Sequence, residues 1–271
     1  MGLFLVSPQD VAKKQVNGET VTLIKHEKIA QLTPQILGLG DVTRFSEQLD
    51  VVSAIFDLAG FTRFSNQPGS SLDVPKFLSR FLNWLFDELR KQHTSDIYDE
   101  GVRLYSSLPF FLKFMGDGVL LLWRTTDVPE WACHNIIITC VQISNNYENQ
   151  LYPQLLNEFS NPPHRLRCGI ARGHVLSIGE LPDFVGQCIN ICSRLQGLST
   201  LSCCIFKRGF DMAQHMSHAA SQFLIKAVNI RGVGDNELVY VHEHEFSKHL
   251  SGEERKKFRD PETVGKSPYS S

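Results

Sequence analysis

Apolar positions along the chain fall into two spacings, and each predicts a different element. From Phe77 to Leu89 they recur at steps of three and four (Phe77, Leu78, Phe81, Leu82, Leu85, Phe86, Leu89), a wide stripe along one side of a helix. Asp73 caps that helix, with Pro75 in its first turn, after a loop containing Asn66, Pro68, Gly69, Ser70 and Ser71. A second helix opens at Asp127 and Pro129 and continues through Ile136, Ile137, Cys140, Val141 and Ile143. Short β-branched and aromatic runs predict strands at Val21 to Ile24, Val51 to Phe56, Val102 to Ser106, Phe110 to Phe114 and Val119 to Trp123. Two more, Arg165 to Ile170 and His174 to Ile178, are expected to turn at Arg172-Gly173. Gly186 to Leu195 reads as a short helix, and Cys203 to Phe206, Gln222 to Val228 and Leu238 to Val241 complete the strands. A β-α-β-β-α-β order with hairpins between predicts an α+β fold, one antiparallel sheet with helices on a face.

Composition adds bounds. The 271 residues, 42% hydrophobic and 21% charged, suffice for a core that needs no disulfide or structural metal. A net charge of −2 gives no field for nucleic acid or an anionic membrane surface. No apolar run is long enough to cross a bilayer. Met1 to Val6 lacks the basic flank and cleavage pattern of a signal peptide, and Val6 stands where a myristoylation signal wants Ser or Thr. A cytoplasmic protein is expected. Seven cysteines without a Cys-x-x-Cys pair point to buried reduced thiols, not a zinc site. His242, His244 and His249 alternate with acids as on a solvated strand end. Residues 1–45 read as an N-terminal extension, 46–245 as the main domain, and 246–271 as a polar tail: a helical stub, then a frayed end.

Two short stretches carry chemistry. Ile55-Phe56-Asp57-Leu58-Ala59-Gly60-Phe61-Thr62 puts one carboxylate at the end of an apolar strand before a glycine turn. Lys113-Phe114-Met115-Gly116-Asp117-Gly118 puts a second at a hairpin tip. Such a pair can share two divalent cations, which can hold a triphosphate and activate an oxygen nucleophile. An inert domain has no use for carboxylates at apolar strand ends, because unpaired buried charge is costly. Downstream, Asn190 and Arg194 are four apart on one helical face.

Taken in order, these stretches and Arg167-Cys168-Gly169-Ile170 through Gly173-His174-Val175 resemble the catalytic domain of class III nucleotidyl cyclases, the adenylyl and guanylyl cyclase family. The resemblance spans roughly residues 48–242. It implies a ferredoxin-like βαββαβ core whose antiparallel-rich sheet is covered by helices, and makes 46–245 the catalytic domain. It also implies that Asp57, Asp117 and the Leu58 carbonyl bind two Mg²⁺ or Mn²⁺ ions, and that the Ala59, Gly60, Phe61, Thr62 turn meets phosphate oxygens. Asn190 orients the ribose and Arg194 stabilises the pentavalent phosphate. The family builds its site across a dimer, so an obligate homodimer with shared sites is implied. The chain departs from the family at Gly232-Val233-Gly234, where some members carry a lysine and this chain has only Arg231 beside it, and at His174 after Gly173.

Lys113 and Asp183 match the family's base-reading pair. A pure donor with a pure acceptor suits adenine, uracil or cytosine and disfavours guanine. Phe184, with Phe56 and Met115, shortens the expected base pocket towards a pyrimidine. The layout is also similar to the free-standing pyrimidine cyclases of bacterial Pycsar antiphage systems, notably at Phe77-Leu78-Ser79-Arg80-Phe81-Leu82-Asn83-Trp84. That resemblance ranks UTP first, ATP second and CTP third, with cUMP read by a separate effector. A pseudocyclase that binds without turnover is the rival from another class.

Overall fold

The structure, a computed structural model, describes residues 6–16, 18–33, 37–43, 46–98, 101–180, 183–215 and 220–261. The expectations for Met1 to Leu5 and Lys266 to Ser271 lie outside them. The chain divides into two compact units, one of residues 1–48 with 176–185, the other of residues 49–175 with 186–271.

In the first unit β1 (Val11–Val16) and β2 (Glu19–Ile24) form an antiparallel hairpin, followed by α1 (His26–Ile29). Residues 176–185 belong here because their backbone is tied to this segment. Ser177 and Glu47 exchange hydrogen bonds, with the Ser177 N–H on the Glu47 carbonyl and the Glu47 N–H on the Ser177 hydroxyl, both at 2.9 Å. The Glu180 N–H donates to the Leu39 carbonyl at 2.7 Å.

The second unit is built on a sheet whose central strand, β3 (Gln48–Ala59), is buried along both faces from Val51 to Ala59, which explains its near-continuous apolar run. Next come α2 (Phe61–Ser65), α3 (Ser70–His93) and a separate ribbon of β4 (Thr94–Tyr98) and β5 (Gly101–Leu104). β6 (Phe111–Phe114) and β7 (Gly118–Arg124) form the expected hairpin, and α4 (Glu130–Asn146) continues through a π-turn into α5 (Tyr152–Leu155). β8 (Arg165–Ile178), β9 (Asp183–Val185), α6 (Gln187–Gln196), β10 (Cys203–Phe206), α7 (Met212–His215), β11 (Phe223–Ile230) and β12 (Gly234–His242) complete the labelled elements. The sheet order is β11-β12-β10-β8-β3-β7-β6, with β9 on β8. Its β8-β3-β7-β6 part, with α3 and α4 as connections, is the ferredoxin-like order. The β3–β7, β6–β7, β8–β9, β10–β12 and β11–β12 pairings are antiparallel, and β8 with β10, which α6 connects, is parallel.

Helices cover both faces. Phe77, Phe81, Leu85 and Leu89 of α3 and Ile136, Ile137 and Cys140 of α4 pack on Val52, Ala54, Phe56, Val119, Leu121 and Trp123. On the opposite face α6 comes so close that a Cβ on Gly169 would stand 2.1 Å from the Cys192 carbonyl oxygen. All seven cysteines are reduced and buried, as expected. No helix among the described residues is long and apolar enough to cross a membrane.

Two local expectations are corrected. Gly69, at φ 83°, starts α3 at Ser70, so Asp73 lies within the first turn and Pro75 inside the helix. Arg165 to Ile178 is one strand with no turn at Arg172-Gly173: Gly173 stays out of the left-handed region and lies against the Cys188 side chain. The tail carries the expected helical stub, Gly252–Arg255, and the end expected to fray, residues 262–271, lies outside the described residues. Arg259 and Ala227 exchange backbone hydrogen bonds at 2.8 Å, and Leu250 and Phe258 are buried.

Candidate active site

Asp57 and Asp117 are brought together by the β3–β7 ladder. Asp57 stands opposite Gly118, and the Leu58 N–H donates to the Asp117 carbonyl at 3.1 Å. Glycine is needed on both sides of Asp117. Gly116 has φ 99°, and a Cβ on Gly118 would meet the Phe56 carbonyl oxygen at 2.5 Å. The motif is therefore the price of bringing a hairpin tip against a central strand.

Side-chain alternation sorts the neighbours. Lys113 pairs with Leu120, and Leu120 with Ile55, so half-buried Lys113 shares the face of Asp57. Phe56 points the other way, is 0% exposed and belongs to the core under α3 and α4. It offers no surface to a base, which corrects its expected place in a base pocket. Met115, beside the turn, is exposed.

Arg167 of β8 donates to Asp57 Oδ2 at 2.5 Å, a contact that the sequence reading missed. Burial pushes the Asp57 carboxyl up from its usual range, further than the Arg167 hydrogen bond and charge draw it down, and the Asp117 carboxylate adds to the rise. After Asp57 the chain turns at Gly60, φ 91°, into α2, whose Phe64 N–H returns to the Gly60 carbonyl at 3.0 Å. Ala59 is buried, Phe61 half-buried and Thr62 exposed. His164 lies next to Gly60. Burial, then the charges of Arg165 and Arg63, hold its pKa below the usual value, so the ring favours its neutral form.

The residues fit hard divalent cations. Two carboxylates with backbone oxygens suit Mg²⁺ or Mn²⁺, which complete their shells with water or phosphate. Among the described residues no group of three or more His, Cys, Asp or Glu could hold a metal ion by itself.

On α6, Cys188, Ile191, Cys192 and Leu195 are buried, leaving Asn190 and Arg194 on the outward side. Both are exposed, and neither side chain has a hydrogen-bond or ionic partner among the described residues. Asp183 and Phe184 lie in the first unit, on β9, opposite Ile178 and Ser177, where the Phe184 N–H donates to Asp183 Oδ1 at 2.9 Å. His174 contacts Asp50 through Nδ1.

No family model and no curated protein sequence matches the chain. Among solved structures it is similar to the guanylyl cyclase Cya2, at 18% identity over 77% of this chain and 99% of that one, with a TM-score of 0.53. It is also similar to a bacterial light-regulated adenylyl cyclase, at 13% identity over 88% of this chain and 64% of that one, with a TM-score of 0.50. The chain thus has the fold of nucleotidyl cyclase catalytic domains, an α+β sheet flanked by helices.

Proposed function

We propose that the protein is a homodimeric, metal-dependent nucleotidyl cyclase that converts a nucleoside triphosphate to a 3′,5′-cyclic nucleotide and pyrophosphate. The observation that carries this reading is the juxtaposition of Asp57 and Asp117 beside Arg167 on a cyclase-type sheet. Mg²⁺ or Mn²⁺ held by Asp57, Asp117 and the Leu58 carbonyl would neutralise triphosphate charge and acidify the ribose 3′-hydroxyl. The 3′-oxygen forms a bond to the α-phosphorus while the bond to pyrophosphate breaks, and the hydroxyl proton passes to solvent. Backbone N–H groups of the Ala59–Thr62 turn receive phosphate oxygens, and Arg167 meets the same charge. Asn190 hydrogen-bonds the ribose, and Arg194 stabilises the charge that builds on phosphorus.

The outward placement of the Asn190 and Arg194 side chains, both without partners among the described residues, supports a site completed by a second copy. Lys113 as donor and Asp183 as acceptor suit UTP, ATP and CTP alike and disfavour GTP; the resemblance to pyrimidine cyclases puts UTP first. Phe184 and Met115 remain as candidates to line the base; with Phe56 in the core, the steric case against a purine rests on fewer residues. The product, cUMP on this reading, serves as a messenger for a separate antiphage effector.

The test is incubation of purified protein with each of the four ribonucleoside triphosphates and Mn²⁺ or Mg²⁺, with products identified by mass. Cyclic UMP alone is expected. Cyclic AMP would overturn the base assignment, and no cyclic product with any triphosphate would overturn the enzyme.

A further inference from the structure

A cationic groove runs outward from Arg194, formed where the end of the described chain returns along β11. One part, about 390 Å³, is lined by Arg194, Arg231 and Lys257. The next, about 420 Å³, is lined by Lys256, Lys257 and Arg259. Both are also lined by Leu198 and Asn229, so they are continuous. Among the described residues no carboxylate lines either part.

The charges in it are poorly compensated. Neither Arg194 nor Arg231 has an ionic partner among the described residues, and the Arg194 guanidinium would lie 3.8 Å from a Cβ on Gly232, against the β11–β12 turn. Lys257 donates to the Leu198 carbonyl at 2.8 Å, and Arg259 to Asn229 Oδ1; both acceptors are neutral. Only Lys256 meets an acid, the exposed Glu253 at 2.6 Å. The backbone bridge between Arg259 and Ala227 fixes this arrangement. Five cations converging on so small a groove, in a chain of net charge −2, call for a compact multivalent anion and not an extended nucleic acid.

We propose that the groove is a polyphosphate subsite in which Lys257, Lys256 and Arg259 grip the terminal phosphates of a nucleoside triphosphate or the pyrophosphate cut from it. It rests on the cyclase reading for the identity of that anion, and on the groove alone for binding polyphosphate. The test is calorimetric titration of the whole protein with sodium tripolyphosphate, after dialysis against EDTA so that no divalent ion bridges the anion to Asp57 and Asp117. Wild type is expected to bind, Lys257→Gln to bind roughly tenfold more weakly, and Lys257→Arg to restore affinity. Lys248→Gln, an exposed charge elsewhere, is expected to match wild type. UTP and pyrophosphate titrated in the same buffer assign the occupant. Weaker UTP binding in Lys257→Gln makes the groove a substrate subsite, and weaker pyrophosphate binding alone makes it a product subsite. No tripolyphosphate binding by wild type, or equal binding by Lys257→Gln, overturns the proposal whether or not the protein makes a cyclic nucleotide. Binding that behaves as expected in a protein without turnover sinks the enzyme reading alone.

Discussion

Gly169→Ala is a small substitution that should separate α6 from its sheet. A Cβ there would stand 2.1 Å from the Cys192 carbonyl oxygen and 2.8 Å from the Gln196 nitrogen, both backbone atoms of α6. Ordinary contact begins near 3.4 Å, so the helix must retreat by about 1.3 Å, and no side-chain rotation can absorb the clash. Overpacking of this kind costs about 1–3 kcal/mol. It acts on the helix that carries Asn190 and Arg194, and a misplacement of about 1 Å in a positioning element can cost about a hundredfold in rate. Urea denaturation should therefore show a lower midpoint, while cyclic nucleotide formation falls by a larger factor than the unfolded fraction explains. Gly173→Ala is the control, since its Cβ would meet only the Cys188 side chain, at 3.3 Å. If Gly169→Ala keeps wild-type stability and turnover, the close seat of α6 on β8 is not what holds the site.

Two further outcomes follow from buried charge. Asp57→Asn should abolish turnover without lowering stability at neutral pH. The carboxyl titrates higher folded than unfolded, so its charge burdens the fold above the folded pKa, and the burden lifts as pH falls through that value. A clearly lower urea midpoint for Asp57→Asn at pH 7 would contradict this. His93 accepts from Trp123 Nε1 at 3.2 Å and contacts the Leu89 carbonyl through Nδ1 at 2.7 Å, while burial holds its pKa below the ordinary 6.5. Its contribution is therefore complete above the unfolded value and shrinks below it, by up to about 1.4 kcal/mol per pH unit, until the folded value is reached. Urea midpoints at pH 7.5 and 5.5 should differ more in wild type than in His93→Gln, and equal differences would refute the assignment.

Much of the framework could be read from residue order because local rules and tertiary contacts agree there. The Lys113–Trp123 hairpin and the two-faced α6 follow from turn glycines and periodicity alone. Phe56 was misplaced although the rule that corrects it is elementary. Neighbours on a strand face opposite ways, so if Asp57 faces the site then Phe56 must face the core. Gly173 was read as a turn because glycine punctuates loops, whereas here a small residue is needed beneath Cys188. The attachment of residues 176–185 to the N-terminal unit depends on pairings such as Ser177 with Glu47, across 130 positions, and leaves no local signature. Arg167 lies within a recognisable motif yet its role is not legible there, since an arginine on a strand declares its partner only once the neighbouring strand is known.

That arginine changes how the site is understood. Asp57 is mostly buried, and a lone carboxylate there would be costly; Arg167 gives it a counter-charge while the hairpin holds a second carboxylate nearby. The guanidinium is 23% exposed, so it can swing without unpacking the core, and its Nε has no hydrogen-bond partner. If Asp57 gives its oxygens to a divalent cation, Arg167 is left beside the Gly60 turn with no carboxylate of its own, where the charge of Arg63 already lies nearby. Asp57, committed to a cation, would thus free one positive group for phosphate. The free protein is spared two opposed, unpaired charges, and the resting ion pair is itself a store of the complementarity that a metal-bound triphosphate requires.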